Sequence, residues 1–520
     1  MRMLSALRRD GDIWLFTAYA IALTAVVLIP PIAGPCFAPW PELPAISVFR
    51  GICALLLAAV LPGYVLLRAF HRPRDLSAEE ELLIAITISM FLTPLVFISA
   101  FRLGLDAEGI YWTLVGVYSS VLAAGIVLKY VLRRGEGQPT DIKRFRWRES
   151  IPLWIFLGFI TALSMSIDIA NYHLLKGDEW GHHGTALMLT RGLFPMNPEK
   201  RVAFYPWWFH AYMASLFTLS GLPSVNTYVL ARIMHFVFWL AFYCMVKELA
   251  KGVGNPERMA LIATILLVTG GYGGFYAFYL MSKAESLDAL TLYWIGNISV
   301  SLTEMASPGF IVVYGPATHG FACMFTLLFL SIKHIRSLRA KAILCALAFA
   351  SGFLFYVAEA ILAVAAIGLI ALSMRRERLG VLEGALVGIP LGALIIAAID
   401  FIAPGMFYLV SLPVVINVGH LYLCLMVYSV SLFIFFAKRK VVMRKHISLS
   451  VPKPVSMAAK AVLLCGLIYV YMLGFIVWDI MKNPPYRTTI YMIHHHQWVP
   501  WWMFPMRFGV MGTLLSLIHI

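Results

Sequence analysis

YPWWFHAYMASLFTLSGLPSVNTYVLAR, Tyr205–Arg232, decides the fold. It holds two apolar runs, 205–222 and 226–248, parted by Gly221 and Pro223. Each is close to the roughly 20 residues that carry a helix across a hydrocarbon core of about 30 Å. If both cross, every later loop changes side. Lysine and arginine discriminate, because short cytoplasmic loops collect them. With Arg2, Arg8 and Arg9 inside, the second span ends at Arg68, Arg72 and Arg74, and the fourth ends in the loop holding Arg133, Arg134, Lys143, Arg144, Arg146 and Arg148. The fifth span then delivers residues 171–204 to the outside. If 205–222 lies along or dips into the outer face and only 226–248 crosses, four later basic groups fall inside: Lys247/Lys251/Arg258, Lys333/Arg336/Arg339/Lys341, Arg375/Arg376/Arg378 and Lys438/Arg439/Lys440/Arg444/Lys445. If 205–222 spans, all four are outside. A non-crossing 205–222 helix is therefore predicted.

Outward from this stretch, further apolar blocks lie near 13–33, 48–70, 82–101, 109–132, 151–170, 259–281, 310–332, 342–374, 380–403, 409–437, 458–478 and 506–520. The 342–374 block is too long for one span, and Glu359 near its middle suggests two short helices meeting at the outer face. The expectation is an all-α, polytopic transmembrane helical bundle of about 14 spans, with extracytoplasmic juxtamembrane helices. Its outer segments are 171–225, 282–309 and 479–505. The N-terminal run after MRMLSALRRDGD ends in PPIAGP without a small-residue cleavage site, so it reads as an uncleaved first span with the N-terminus in the cytoplasm.

Composition agrees. Hydrophobic residues make up 61% of the 520 and charged residues 13%, with mean hydropathy +0.82. A soluble chain carries roughly 25% charged residues, so a water-facing surface cannot be built from this one. A disordered chain and a disulfide-rich domain are excluded as well. The net charge of +15 needs no nucleic acid, since about 30 of the lysines and arginines fall on the inner side in this topology. Seven cysteines, Cys36, Cys53, Cys244, Cys323, Cys345, Cys424 and Cys465, form no CxxC pair and read as small core hydrophobes. The last six residues, LSLIHI (Leu515–Ile520), look like the translation of a sequencing-library adapter, which would leave the final span and the true C-terminus incomplete.

Acids and histidines collect on the predicted outer side. NYHLLKGDEWGHHGTALMLTRGLFP (Asn171–Pro195) follows the fifth span directly. Gly177 is a break, Asp178 suits a helix N-cap, and Glu179 falls in the first turn. Ala186, Leu187, Leu189 and Leu193 then give a short amphipathic helix able to lie at the membrane surface, with His182 one turn from Asp178 on the same face. The plain reading is that Asp178 and Glu179 cap a surface helix. Against it, two acids and two histidines (His182, His183) within six residues beside a membrane are an expensive cluster, and such groups are functional candidates. A carboxylate there can serve as a general base or hold a cation. A zinc site from Asp178, His182 and His183 has no HExxH or HxH pattern behind it. In the deciding stretch, His210 lies on the first turn of the non-crossing helix, and Arg232 enters the next span from outside, where it needs an anion or carbonyl partner.

A GDE at the outer end of a span, a short helix ending in G-x-F-P, a Tyr-Pro helix that does not cross, and an arginine opening the next span together resemble the lipid-phosphate-dependent glycosyltransferases of the GT-C fold. Protein O-mannosyltransferases and aminoarabinose transferases are among them. The resemblance covers roughly 150–335 and departs from the family where paired prolines are replaced by Pro206–Trp207. It implies a GT-C-like transmembrane core over 150–514, preceded by a four-span N-terminal extension, 1–135, that resembles segments of other prokaryotic membrane proteins. It also implies transfer of a sugar from a polyprenyl-phosphate donor to a lipid, polysaccharide or protein acceptor at the outer face of a prokaryotic cytoplasmic membrane. Asp178, with Glu179 beside it, takes the place of the family's loop acid. His182, His183, His210 and Arg232 become substrate-binding candidates.

Further candidates come from the later outer segments. Glu304 or Asp288 can supply a second acid, or lie in a solvated loop. His319, in VVYGPATHGFACM (Val312–Met324), can face a polar cavity where backbone irregularity is tolerated, or pack between helices. Arg487 or Arg507 can contact the donor phosphate, and His494, His495 and His496 form a run too divergent for one metal. No cofactor is fixed, and a divalent metal stays open. The rivals are a transporter or flippase of lipid-linked sugars and a non-catalytic membrane assembly subunit. No Walker loop, GxGxxG or GxSxG occurs in the chain.

Overall fold

A computed structural model describes residues 11–32, 36–70, 76–132, 147–170, 179–193, 208–251, 254–269, 282–283, 315–374, 376–402 and 428–436. Among these the chain is helical, with no strand. The helices are α1 (Gly11–Leu28), α2 (Ala45–Ala59), α3 (Leu61–Phe70), α4 (Ala78–Arg102), α5 (Ala107–Val127), α6 (Trp147–Ala170), α7 (Glu179–Thr190), α8 (Trp208–Ser220), α9 (Ser224–Ala231), α10 (Phe236–Leu249), α11 (Pro256–Thr269), α12 (Pro316–Ile332), α13 (Leu338–Phe355), α14 (Val357–Ser373) and α15 (Glu383–Ile402). A last helix, α16, covers residues 428–436.

Six stretches are long and apolar enough to cross a membrane: Ala45–Ala69, Ala78–Arg102, Ala107–Tyr130, Ser224–Leu249, Leu338–Phe355 and Arg378–Ile399. The protein is a helical membrane protein. Six is fewer than the 14 spans expected. Part of the difference is helix length: Ile13–Leu28, Ser150–Ala162, Thr318–Ile332 and Leu362–Leu372 are apolar but shorter. The blocks at 458–478 and 506–520, and most of 409–437, lie outside the described residues. The 342–374 block is indeed two helices, α13 and α14, parted at Tyr356, whose backbone is extended (φ −160°, ψ 106°). α8 has thirteen residues, about 20 Å at 1.5 Å per residue, which falls short of a hydrocarbon core.

Helix contacts follow side-chain size. α3 lies against α4 where Gly63 leaves room: an added Cβ would sit 1.9 Å from the Ala85 carbonyl oxygen. The Gly63 N–H also donates to Ser89 Oγ at 2.8 Å. α15 meets α13 through Gly388 and Gly392, whose Cβ atoms would fall 2.6 and 2.7 Å from the carbonyl oxygens of Ala342 and Ala346. Small residues four apart let two backbones approach where no hydrophobic force separates helix from lipid. Polar side chains are bonded within this packing. The Thr93 hydroxyl donates to the Ala58 carbonyl at 2.7 Å and so accepts from the Tyr118 hydroxyl at 2.9 Å.

The first five helices and the later ones share one continuous apolar core, from Tyr19 to Ile399. α8 runs through it, packed against α2, α4, α5, α7, α9 and α13. Ten ionisable residues gather at the end of the bundle where α4 begins and α10 and α12 finish. Lys333 bridges Glu80 at 2.7 Å and Glu248 at 3.3 Å. Lys247 bridges Glu79 at 2.7 Å and Glu257 at 3.5 Å. Arg68 pairs with Glu81, and Lys251 with Glu248 at 2.6 Å. Lys341 donates to the carbonyls of Ser331 (3.0 Å), Lys333 (2.7 Å) and Val381. Five carboxylates thus face five cations. Glu79, Glu80 and Glu81 also occupy the first turn of α4, where the helix dipole favours negative charge.

Removing one partner of a buried pair leaves an uncompensated charge, at a cost of about 3–5 kcal/mol. Lys333→Met should therefore lower the thermal unfolding midpoint of the detergent-purified protein. The double change Lys333→Met with Glu80→Gln should recover more than half of that loss. A double variant no better than the single one would show that these groups do not act as a pair.

Candidate functional site

The opposite end of α10 and α12 carries the histidines. Glu179, His182, His183, Ala186 and Leu189 are the buried residues of α7. They recur at intervals of three and four, so they share one face. The amphipathic reading foresaw Ala186 and Leu189 on this face, and both are fully buried, but it also counted Leu193 and left out the first turn. Leu193 is 53% exposed, and the polar first turn points inward instead. The reason is a counter-ion. Glu179 is fully buried and ion-paired to Arg232, itself 2% exposed. Arg232 reaches it because α9 tightens after Ala231 into a 3₁₀ turn, Arg232–His235, before α10 begins.

His182 Nδ1 lies 3.0 Å from Nε2 of His210 on α8, one imidazole donating to the other. His183 Nε2 lies 2.9 Å from Ser224 Oγ at the start of α9. Burial pushes the His183 ring down to about 4. Burial, and then the neighbouring His182, hold His210 well below the usual imidazole range. Both rings are therefore neutral near pH 7. Gly315 sits against His182, where an added Cβ would be 3.4 Å from the ring, so the start of α12 closes over that imidazole. His319, one turn into α12, has the rings of Phe209, Tyr212 and Phe355 at 5.4, 5.6 and 5.0 Å.

Of the residues singled out from the sequence, Glu179, His182, His183, His210, Arg232 and His319 are brought to this end by α7, α8, α12 and the turn before α10. Asp178, Glu304 and Arg487 lie outside the described residues, as do Asp288, Arg507 and His494–His496. So does the side chain of Glu359. Sequence reasoning passed over His235, which is 2% exposed. It stands 3.4 Å from the Thr318 hydroxyl, with its ring near-parallel to Trp239 at 6.2 Å. Its spacing of three from Arg232 was the available signal, hidden inside an apolar run. Ser224, Thr318 and Tyr212 were passed over too.

A loop from the first helices also reaches this end. Both the N–H and the carbonyl of Ala38 bond the Asn226 side chain, at 3.0 and 2.8 Å. The Val225 N–H donates to the Cys36 carbonyl at 2.9 Å.

Chemically, the site offers one neutralised acid–base pair and five buried imidazoles. Neutral imidazoles can accept a proton or donate a hydrogen bond to a phosphate. Among the described residues no three His, Cys, Asp or Glu side chains converge as a metal would require. His182 and His183 turn to partners on different helices, α8 and α9. Comparison with protein-family models, curated proteins and solved structures returned no match.

Two measurements test this geometry. Arg232→Gln should destabilise the protein by about 3–5 kcal/mol, and adding Glu179→Gln should restore much of it; unfolding midpoints decide. An imidazole depressed in the fold stays neutral there while its unfolded counterpart takes up a proton. Stability should thus fall as pH drops from about 6.5 toward 4. His183→Gln, which keeps a donor for Ser224, should make that fall shallower; an unchanged slope would remove His183 from the account.

Proposed function

We propose that this chain is a membrane glycosyltransferase of GT-C type. It would move a sugar from a polyprenyl-phosphate donor to an acceptor hydroxyl at the extracytoplasmic face of a prokaryotic cell membrane. The acceptor is a lipid, polysaccharide or protein of the cell envelope. The observation that carries this reading is the buried Glu179–Arg232 pair. It anchors the first turn of α7, which follows Asp178 directly in the sequence, beside a cluster of histidines.

In this reading Asp178 accepts the proton of the acceptor hydroxyl as its oxygen bonds to the anomeric carbon. The bond from that carbon to the donor phosphate breaks, and the phosphate leaves on its isoprenoid. Charge grows on the phosphate oxygens, and preorganised donors there are worth most. The imidazoles of His182, His183, His210, His235 and His319 are the donor candidates among the described residues, and Glu304 and Arg487 remain candidates from the sequence. Glu179, already paired with Arg232, is better suited to anchoring α7 than to taking the proton itself. The positive-inside tendency supports the sidedness, because Arg68, Lys247, Lys251, Lys333 and Lys341 gather at the end away from the histidines.

A transporter or flippase would call for ionisable groups along the membrane depth. Between His319 and Lys333, about 21 Å along α12, no Asp, Glu, His, Lys or Arg occurs, and none occurs between His235 and Lys247 on α10. The two polar ends are separated by apolar helix, which favours the enzyme. A subunit that only assembles others has no use for five buried imidazoles at one end.

Asp178→Asn tests the reading with the purified protein and a labelled polyprenyl-phosphate sugar. Loss of a general base slows transfer by about 10²–10⁴-fold. Undiminished transfer would remove Asp178 as base, and absence of transfer by the wild type would favour the transporter or the assembly subunit.

A further inference from the structure

A groove of about 760 Å³ runs along α1 from Ile13 to Ile29, walled by Phe49 of α2 and by Ile126 and Tyr130. Sixteen residues of helix make it about 24 Å long. Its lining includes the small side chains of Thr17, Ala20 and Thr24. One leaflet contributes about 15 Å of hydrocarbon, half of the roughly 30 Å core. An ordinary acyl chain ends at that depth, so the groove is long enough for something longer.

One end of the groove leads to the histidine end of the bundle. Arg50, the residue after Phe49, is 3% exposed. It donates to the carbonyl of Ile29, where the groove stops, and at 3.1 Å to the carbonyl of Leu219 in the last turn of α8. The Ile32 N–H donates to the Gly221 carbonyl at 2.8 Å, three residues before Ser224, the partner of His183. A cation therefore stands between the end of an apolar trough and the helix that carries His210. A guanidinium has five donors and matches a phosphate well. Among the described residues, the hydrogen bonds of Arg50 go to these two carbonyls.

We propose that this groove seats the long isoprenoid chain of a lipid-phosphate donor, with the phosphate toward Arg50. The proposal rests on the glycosyltransferase reading and adds to it. It gives residues 1–135, which lie outside the stretch that resembles the family, a part in holding the substrate. The other occupants to test are ordinary phospholipid tails and an undescribed segment of this same chain.

The test uses the full chain in phospholipid nanodiscs and a polyprenyl phosphate carrying a photoreactive diazirine on its tail and no sugar. Labelled peptides are mapped by mass spectrometry. Labelling is expected on residues 13–29 and near Phe49. Unlabelled polyprenyl phosphate should reduce it about tenfold, whereas the same amount of dioleoyl phosphatidic acid should not. Ala20 and Thr24 are exposed, so Ala20→Trp or Thr24→Phe should fill the groove and cut labelling without lowering the unfolding midpoint. Equal competition by phosphatidic acid would overturn the proposal in favour of an ordinary lipid groove. Labelling elsewhere or none on α1, as when another segment of the chain covers it, would overturn it too. The same preparation is assayed for sugar transfer. Labelling of α1 without transfer upholds the groove and sinks the enzyme reading, while transfer with labelling elsewhere sinks the groove alone.

Discussion

A charge withdrawn from water must meet its opposite inside the protein, and this bundle meets that demand at both ends of the same helices. The segment from Arg232 to Lys247 spans fifteen residues, about 22 Å. Its first member is tied to Glu179 and its last to Glu79. α12 likewise places His319 at one end and Lys333 at the other. Apolar packing alone resists axial sliding poorly in lipid, because lipid tails are as apolar as the side chains they would replace. Ion pairs at two depths fix the register of α4, α7, α10 and α12. That register is what puts the first turn of α7 beside α8.

The same bonds tie the beginning of the chain to its middle. Glu79 and Glu80 on α4 hold lysines of α10 and α12 at one end. Arg50 and Ala38 hold α8 and α9 at the other. Between them α8 is enclosed over most of its surface: Trp208, Phe209, Tyr212 and Met213 are fully buried, and Trp208 lies 5.5 Å from the ring of Phe91 in the middle of α4. A short helix so enclosed is a rigid support for His210. The first five helices supply much of that enclosure.

Hydropathy made the helical membrane class readable at once, and the Gly and Pro punctuation marked where α7 and α8 end. The residues at the histidine end were readable as types: acids and imidazoles beside an apolar boundary are costly enough to be noticed. Their partners were not. Nothing in the spacing of Glu179 and Arg232, 53 residues apart, foretold a buried pair, because such a pair depends on how three helices pack. For the same reason the first turn of α7 looked suited to a membrane surface and is instead turned inward. His235 was hidden because one histidine in an apolar run looks like packing until Thr318 is brought beside it. Glu79 and Glu80 were passed over, since their lysine partners lie more than 160 residues away.

The central claim is that the histidine end faces the outside of the cell, and native Cys36 reports on it. Cys36 is exposed, whereas Cys53, Cys244, Cys323 and Cys345 are buried, and its carbonyl is bonded beside the start of α9. A membrane-impermeant maleimide added to intact cells should label the wild type, and the Cys36→Ser variant should lose that label. Labelling of Cys36 only after the cells are opened would place this end in the cytoplasm and contradict the account.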